Sequence, residues 1–356
     1  MKTIVLHDYF EALEGGGRLC SVLAQGIRAD IGYGFTRPEH PFLCPFTQTQ
    51  QIDLQSGSRI PLWRQFKLAR AFTQHTQFLH PYDTVIYSGF YTPLAIMQHP
   101  QGKNILYCHT PPRFVYDQRD FYLAQLSPPL RPLLQAFIAY LQPRYEAALA
   151  KMDVILTNSA HVRDRIHHYL GKKAQIIHPP CDTSHFRWLG QKNYYLSTAR
   201  LDPLKQVDKI IQAFLQMPDK PLIVASGGSE LKKLQRLARN APHIQFTGWI
   251  SDVQLAELMG NAIATLYVPK QEDFGMSPLE SMAAGKPVIG LAEGGLLETI
   301  LPGKTGILLP QATSETICDA VNRLNSDYAL SLRAECEQQA QNFRNELFLK
   351  KIKEFL

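Results

Sequence analysis

Residues Glu272 to Gly295 read EDFGMSPLESMAAGKPVIGLAEGG, and this stretch decides the fold. An apolar run at Ala264–Tyr267 precedes it, an amphipathic helix is predicted over Pro278–Ala284, and a second apolar run follows at Val288–Gly290. A strand, a helix and another strand within about 30 residues form a βαβ unit, which builds a parallel sheet. The stretch therefore predicts an α/β protein.

The same alternation of short apolar runs and amphipathic stretches continues in both directions. Further strands are predicted at Lys2–His7, Thr84–Tyr87, Ile105–His109, Val154–Thr157, Tyr194–Thr198, Leu222–Ala225 and Ile244–Phe246. Further helices are predicted at Arg18–Arg28, Leu62–Leu79, Leu130–Met152, Ala160–Leu170, Gln206–Gln216, Glu230–Asn240, Asp252–Met259, Ser314–Leu324 and, as a last helical stretch, Tyr328–Phe355. The segment Ile176–Trp188, with two prolines, breaks the rhythm and is predicted to link two doubly wound domains.

Composition excludes several classes of protein. The 356 residues are 45% hydrophobic and 19% charged, and the 22 glycines and 24 prolines follow no period, so the chain is neither collagen-like nor of low complexity. No apolar run reaches the roughly 20 residues that span a bilayer. The start, MKTIVLHDYF, turns polar too early for a signal peptide. Six cysteines stand singly, which favours a reduced, cytoplasmic protein without a zinc site.

The formal net charge of +6 is uneven, because residues 1–186 hold 18 Lys and Arg against 13 Asp and Glu. Such an excess suits an anionic lipid surface or a phosphorylated ligand, and it equally suits an ordinary solvated surface. No basic stripe is interleaved with aromatic residues, so nucleic acid is not an expected partner.

Two carboxylates in the deciding stretch, Glu272 and Glu280, are eight residues apart. Ser277, Pro278 and Glu280 fit the N-cap, first and third positions of a helix, so Glu280 could serve only as part of a capping box. The alternative is that both carboxylates accept hydrogen bonds from sugar hydroxyls while the start of this helix faces a phosphate.

The whole stretch resembles the signature of the retaining glycosyltransferases of family 4. Arg200 and Lys205 match the R-x4-K motif of that family, Gly15, Gly16 and Gly17 match its amino-terminal glycine loop, and IIHPPCDTSHF matches its interdomain linker. The resemblance implies the GT-B fold, an α/β architecture of two facing Rossmann-like parallel-sheet domains. It places the first domain at residues 1–186, the second at 187–335, and a carboxyl-terminal helix returning to the first domain at 336–356.

The resemblance also implies roles for individual residues. Arg200 and Lys205 would clamp the donor diphosphate, which agrees with the preference of phosphate for bidentate Arg and point-charge Lys. Glu272 would hold donor-sugar hydroxyls and Glu280 the ribose, with the backbone of Phe274, Gly275 and Met276 lining the site. The base would lie against Gly248–Ile250.

On the first domain, His109 in YCHTPPRFVYD stands where the family often has a histidine near the donor sugar, and this form is similar to bacterial mannosyltransferases of O-antigen and exopolysaccharide synthesis. His7, at another strand end, is a weaker candidate. One departure is that Arg18 directly follows Gly17, where the family usually has x-Glu-Arg, so no role for that glutamate carries over.

The function implied is transfer of a hexose, mannose favoured, from a nucleotide sugar to a glycan or lipid-linked acceptor with retained configuration. No metal and no other cofactor is expected, because the cations and helix dipoles would neutralise the leaving diphosphate. The family is thought to use a front-face route in which the departing phosphate accepts the proton of the acceptor. Peripheral contact with the inner face of the plasma membrane is expected for a lipid-linked acceptor. Another GT-B enzyme, such as an epimerase or phosphorylase, and a non-catalytic scaffold subunit remain alternatives.

Overall fold

A computed structural model describes residues 2–11, 14–44, 46, 49–60 and 62–356. The chain divides into two units. The first contains the residues up to His178 together with Phe348–Leu356, and the second contains Pro179–Leu347. Within the described residues, no helix combines the length and apolar character needed to cross a bilayer.

The first unit is built on a parallel sheet whose described strands number seven, in the order β3-β2-β1-β4-β5-β6-β7. The strands are β1 Thr3–His7, β2 Asp30–Tyr33, β3 Gln51–Asp53, β4 Thr84–Ser88, β5 Lys103–Cys108, β6 Val154–Thr157 and β7 Gln175–Ile176. The helices are α1 Gly15–Ile27, α2 Trp63–Gln74, α3 Arg119–Gln125, α4 Arg131–Leu149 and α5 Ala160–Leu170, with 3-10 helices at Gln77–Leu79, Thr92–Gln98 and Pro128–Leu130.

The second unit has a six-stranded parallel sheet in its described residues, in the order β10-β9-β8-β11-β12-β13. The strands are β8 Tyr195–Ser197, β9 Leu222–Val224, β10 Ile244–Phe246, β11 Thr265–Tyr267, β12 Val288–Leu291 and β13 Gly306–Leu309. The helices are α6 Val207–Phe214, α7 Leu231–Leu237, α8 Asp252–Asn261, α9 Met276–Ala283, α10 Leu296–Thr299, α11 Ser314–Arg323, α12 Ser326–Ser331, α13 Arg333–Gln341 and α14 Asn345–Lys353, with a 3-10 helix at Pro203–Lys205.

The central strands are buried on both faces because helices cover both sides of each sheet. Residues of β1, β4 and β12 are almost all buried, which explains why they read as continuous apolar runs rather than as alternating patterns. Helix α6 buries one stripe, including Ile210, Ile211 and Phe214, against the second sheet. Two units with parallel sheets confirm the predicted α/β class and its two Rossmann-like, doubly wound domains.

Four strands were not predicted: β2, β3, β7 and β13. Three of them, β3, β7 and β13, are edge strands, and β2 lies next to β3. Strands β3 and β7 are only three and two residues long, and their side chains are partly or fully exposed. A short edge strand carries no continuous apolar run, so pairing with a neighbour is what makes it a strand.

The chain enters the second unit earlier than the predicted boundary after residue 186. Phe186 is fully buried in the core of the second unit, and Cys181 donates its backbone N–H to Phe343 at 2.7 Å. The predicted single helical stretch over Tyr328–Phe355 is wrong, since the structure has three helices there. The division into units falls within α14. The carboxyl-terminal segment that belongs to the first unit therefore begins at Phe348, and not at residue 336 as predicted.

Candidate functional site

The second unit places its candidate residues at the point where the strand order reverses. Strands β8 and β11 are neighbours, and their connections run to opposite sides of the sheet. A crevice opens at such a switch point beyond the carboxyl ends of the strands. Lys205 follows β8 in the 3-10 helix, and Glu272 follows β11 in a loop. Topology therefore brings together two residues that are 67 positions apart.

Lys205 and Glu272 form a partly buried ion pair. The ammonium of Lys205 lies 2.6 Å from Glu272 Oε2 and donates to the Tyr267 hydroxyl at 3.3 Å. The Tyr267 hydroxyl in turn donates to the same carboxylate oxygen at 3.1 Å. Tyr267 is the last residue of β11, and the strand-end rule that singled out His109 would also have found it. The ammonium and the carboxylate thus reach the crevice already oriented.

Electrostatics of this cluster favour a charged lysine. Burial opposes the ammonium, but Tyr267 and Glu272 outweigh it, so the pKa of Lys205 is raised above its ordinary value. The pKa of the Tyr267 hydroxyl is also raised, chiefly by burial and then by the Glu272 charge. Lys205 is therefore a cation and Tyr267 a neutral hydroxyl at any physiological pH.

Arg200 stands beside this cluster in the sequence, on the loop after β8. Its Nε lies 3.0 Å from Asp202 Oδ2, and about half of the side chain is exposed. Asp202 also accepts a hydrogen bond from the backbone N–H of Leu204 and thereby caps the 3-10 helix that carries Lys205. One carboxylate thus fixes the turn and orients the guanidinium.

The Glu272 loop is held against the loop after β12 by glycines. Gly295 donates its N–H to the carbonyl of Glu272 at 3.0 Å, and a Cβ on Gly294 would lie 2.2 Å from that carbonyl. Gly275, with φ of 87°, turns the chain into α9. These close backbone approaches require glycine, which explains its place in the deciding stretch.

The predicted capping box at Ser277 and Glu280 is wrong. Helix α9 begins at Met276 with Gly275 as its N-cap, and no side chain caps it. Because Gly275 can adopt positive φ, the helix starts two residues earlier than the sequence pattern indicated, and Glu280 falls beyond the first turn. Glu280 is nonetheless only 8% exposed. Capping therefore does not account for this buried carboxylate.

Phe274, Met276 and Ile250 direct their side chains inward. Phe274 belongs to the hydrophobic core of the second unit, and Met276 and Ile250 pack against it. The 274–276 segment therefore offers its backbone, rather than the buried Phe274 ring, to a ligand. Beside Ile250, Trp249 is 71% exposed, and a Cβ on Gly227 would meet its indole nitrogen at 2.4 Å. The indole thus lies against the loop after β9, a placement that the sequence pattern did not indicate.

The first unit has its own switch point, between β1 and β4. His7 ends β1, Ser88 ends β4, and His109 directly follows β5. His7 Nδ1 donates to the Ser88 carbonyl at 2.8 Å, and Ser88 Oγ lies 2.7 Å from His109 Nε2. The structure therefore brings both candidate histidines to one serine, which sequence reasoning missed.

The glycines at 15–17 form the first turn of α1 rather than a loop before it. A Cβ on Gly16 would lie 3.7 Å from both the His7 and the His109 ring, so this turn covers the histidines. Burial lowers the pKa of His7 to about 4, although its bond to Ser88 acts in the opposite direction. Burial and the nearby His7 lower the pKa of His109 to about 3. Both rings are neutral at pH 7.

Asp8, next to His7, ties the end of β4 in place. Its carboxylate accepts the backbone N–H groups of Phe90, Tyr91 and Thr92 at 2.6, 2.8 and 3.1 Å. Burial raises its pKa to about 6 despite these three bonds. Asp8 thus fixes the loop that follows Ser88.

The two histidines predict how stability varies with pH. A folded pKa below the unfolded value of 6.5 gives stability that is fully present above pH 6.5 and is lost as pH falls toward about 4 and 3. Asp8 acts in the opposite sense. Because its pKa is raised in the folded protein, its contribution to stability is lost as pH rises through about 6. We expect H7Q and H109Q each to lose less stability than the wild type between pH 7 and pH 5.

Chemical unfolding at several pH values measures this difference. H80Q, at an exposed histidine of the first unit, is the control for replacing a histidine by glutamine. If the free energy of unfolding varies with pH in the same way for H7Q, H109Q and the wild type, the prediction is contradicted.

Among the residues that the structure describes, no group of three or more His, Cys, Asp and Glu side chains is arranged to hold a metal ion. The cysteines described are all free thiols.

Comparison with known proteins finds sequence similarity concentrated in the second unit. Residues 183–343 match the family model described as "Glycosyl transferases group 1". A GDP-mannose-dependent alpha-(1-6)-phosphatidylinositol monomannoside mannosyltransferase of Mycolicibacterium smegmatis is 30% identical over 206 residues, covering 49% of this chain and 53% of that protein. The alpha-1,3/1,6-mannosyltransferase ALG2 of Dictyostelium discoideum is 31% identical over 163 residues, 39% of each chain. The chain thus spans about half or less of the length of these relatives.

Solved structures share the whole fold at low identity. The Anabaena protein Alr3699/HepE, solved with UDP and glucose, has a TM-score of 0.76 at 17% identity and covers 99% of both chains. WaaG, a glycosyltransferase involved in lipopolysaccharide biosynthesis, has a TM-score of 0.75 at 15% identity, covering 99% of this chain and 98% of that one. The chain therefore shares its fold with these two proteins along nearly its whole length.

Proposed function

We propose, from the premise that residues 183–343 form a group 1 glycosyltransferase domain, that this protein transfers a hexose from a nucleotide sugar to a hydroxyl of a glycan or lipid-linked glycan. Mannose is the proposed sugar, because the two relatives named above are mannosyltransferases. The transfer would retain the anomeric configuration, by the front-face route that the family resemblance implies.

The observation that carries the proposal is the Lys205–Glu272 pair at the switch point of the second unit. A partly buried ion pair of this kind adds little to stability, since desolvating both charges offsets most of their attraction. A diphosphate would share the ammonium, and a sugar hydroxyl could donate to the carboxylate. The pair is thus suited to a ligand that carries both groups.

The other roles follow the same logic. Arg200 would bind the diphosphate beside Lys205, and the buried Glu280 would accept hydrogen bonds from the ribose hydroxyls. The backbone of residues 274–276 would line the phosphates at the start of α9. His109 is proposed to donate to the transferred sugar. We propose no metal, because the two cations would neutralise the leaving diphosphate.

Trp249 makes donor binding measurable. Its exposed indole beside Gly227 offers a face on which a base can stack. We expect GDP-mannose, UDP-glucose, UDP-galactose or UDP-N-acetylglucosamine to quench tryptophan fluorescence and raise the melting temperature. A ligand about 100-fold above its Kd stabilises the folded state by about 2.7 kcal/mol. Among these four donors, we expect GDP-mannose to bind most tightly.

The chain supplies matched controls for this titration, since it has three tryptophans. W249F should lose the quenching, whereas W63F, altered in the first unit, should keep it. Detection of a glycoside product then separates transfer from epimerisation and phosphorolysis. A protein that binds none of the four donors would be a scaffold, and the proposal would fail.

Membrane contact is proposed for the first unit. Helix α4 buries Leu134, Phe137, Ile138, Leu141 and Tyr145 in the core, so most of its apolar face is not available to lipid. Exposed apolar side chains remain on packed neighbours: Trp63 of α2, Met97 of the 3-10 helix Thr92–Gln98, and Leu133 of α4. The exposed Arg131, Arg144 and Lys151 lie on or just after α4. This α2–α4 face suits an anionic cytoplasmic leaflet.

Sedimentation with vesicles tests the α2–α4 face. We expect binding to vesicles containing phosphatidylglycerol that weakens as salt rises, and weaker binding by W63A. Val253, also apolar and exposed but in the second unit, provides the control V253A. If no binding occurs at low ionic strength, the membrane proposal is wrong, while the donor proposal is unaffected.

A further inference from the structure

We infer that Ser88, oriented by Cys20, is a positioning residue that holds the His109 ring in the neutral tautomer with its proton on Nδ1. The inference deepens the proposed function, and it rests on that function only for its kinetic consequence. The ligand group that this tautomer would bind is an oxygen acceptor of a hydroxyl-rich ligand.

Three side chains form a hydrogen-bonded chain at the carboxyl edge of the first sheet. Cys20 Sγ lies 3.0 Å from Ser88 Oγ, and Ser88 Oγ lies 2.7 Å from His109 Nε2. Cys20 and Ser88 are both fully buried. Water therefore does not compete for these groups, and each proton needs an acceptor within the protein.

The backbone carbonyl of Ser88 fixes which atoms donate and which accept along this series of hydrogen bonds. His7 Nδ1 lies 2.8 Å from the backbone oxygen of Ser88, which can only accept, so His7 carries its proton on Nδ1. Cys20 Sγ is also within 3.2 Å of that nitrogen, but a protonated nitrogen cannot accept from the thiol. The Cys20 thiol therefore donates to Ser88 Oγ.

The last proton in the chain belongs to the Ser88 hydroxyl. With the oxygen accepting from Cys20, the hydroxyl donates to His109 Nε2, the one arrangement in which every proton of the chain has an acceptor among the described residues. An Nε2 that accepts is unprotonated, so the ring proton lies on Nδ1. Burial lowers the pKa of His109 to about 3, which keeps the ring neutral.

The His109 ring therefore presents a fixed, uncharged hydrogen-bond donor, its Nδ1–H group. Within the described part of the chain, His109 Nδ1 makes no hydrogen bond, whereas Nε2 is engaged by Ser88. The main-chain oxygen of His109 accepts from Asn158 at 2.8 Å, which holds the backbone while Ser88 holds the ring. A sugar hydroxyl or ring oxygen can accept from Nδ1–H without the desolvation cost of an ion.

Nitrogen NMR of histidine-labelled full-length protein tests the tautomer directly. The His109 signal is identified by its loss in H109Q. We expect protonated Nδ1 and unprotonated Nε2 in the wild type, and a shift toward the Nε2–H form in S88A. An Nε2–H ring in the wild type would overturn the inference, and so would an unchanged tautomer in folded S88A. The wild-type spectrum needs no variant of Ser88 to fold.

Controls separate positioning from general damage. S56A removes another buried hydroxyl of the first unit, which donates to the Gly34 carbonyl at 2.7 Å, and should leave the His109 signal unchanged. C20S keeps a donor to Ser88 and should preserve the tautomer, whereas C20A should weaken the preference. C336A, at a buried cysteine of the second unit, should have no effect.

Kinetics provide a second readout. S88A should lower kcat/KM on the order of 10-fold, and should cost little more in an H109A background, because Ser88 acts through the ring. Full additivity of the two losses would overturn the positioning role. If the wild type transfers no sugar, the proposed function fails, and the NMR result still decides the tautomer.

Discussion

Replacing Lys205 by alanine is expected to lower turnover on the order of 10²–10³-fold, and R200A should fall in the same range. Both cations would contact the diphosphate as it gains charge on leaving, so their loss costs most in the transition state. K205A also leaves the Glu272 carboxylate, only 14% exposed, without its ammonium partner. Donor binding should therefore weaken as well.

A matched control exists in the same unit. Lys233 pairs with Glu230 at the same Nζ–Oε2 distance of 2.6 Å, but its side chain is 69% exposed. K233A should stay close to wild-type activity, since an exposed pair is worth little. Steady-state rates with the donor found by titration provide the measurement, and near-normal rates for both K205A and R200A would refute the clamp.

Chelation tests the same mechanism from the other side. If the cations alone neutralise the diphosphate, turnover should survive an excess of EDTA. Complete loss that Mg²⁺ or Mn²⁺ restores would instead indicate a metal-dependent transferase.

Truncating Phe348 to alanine is expected to lower the stability of the first unit by about 3–5 kcal/mol. The ring is 3% exposed in a core that includes Tyr107, with ring centroids 6.0 Å apart. Tyr107 in turn lies 5.2 Å from the His109 ring. A cavity at Phe348 should therefore also loosen His109 and reduce turnover.

Removing residues 348–356 should have a larger effect than F348A, because Ile352 is also buried and Leu349 packs on Gly26. K350A, exposed on the same helix, is the matched control and should be nearly neutral. Hydrogen exchange resolved by peptide shows which unit opens. Equal stability of F348A and K350A would contradict the prediction.

Much of the site follows from local sequence. The apolar runs that form the central strands already predicted that His7 and His109 lie at the carboxyl ends of strands, and parallel strands end at a common edge. The relation to glycosyltransferases was readable from the deciding stretch. Short edge strands such as β3 were not, since their pairing is set by neighbours and not by composition.

What the sequence determined by itself was the class of fold and the residue types at the strand ends, since both depend on local periodicity and backbone preference. Tertiary structure alone decided the partners. Lys205 meets Glu272 across 67 positions, and Ser88 joins His7 across 81, because strand order places distant strand ends side by side. It also decided that α9 starts after Gly275 and that the chain returns to the first unit at Phe348 rather than at residue 336. Contacts between remote segments form only when the sheets assemble, and no local pattern encodes them.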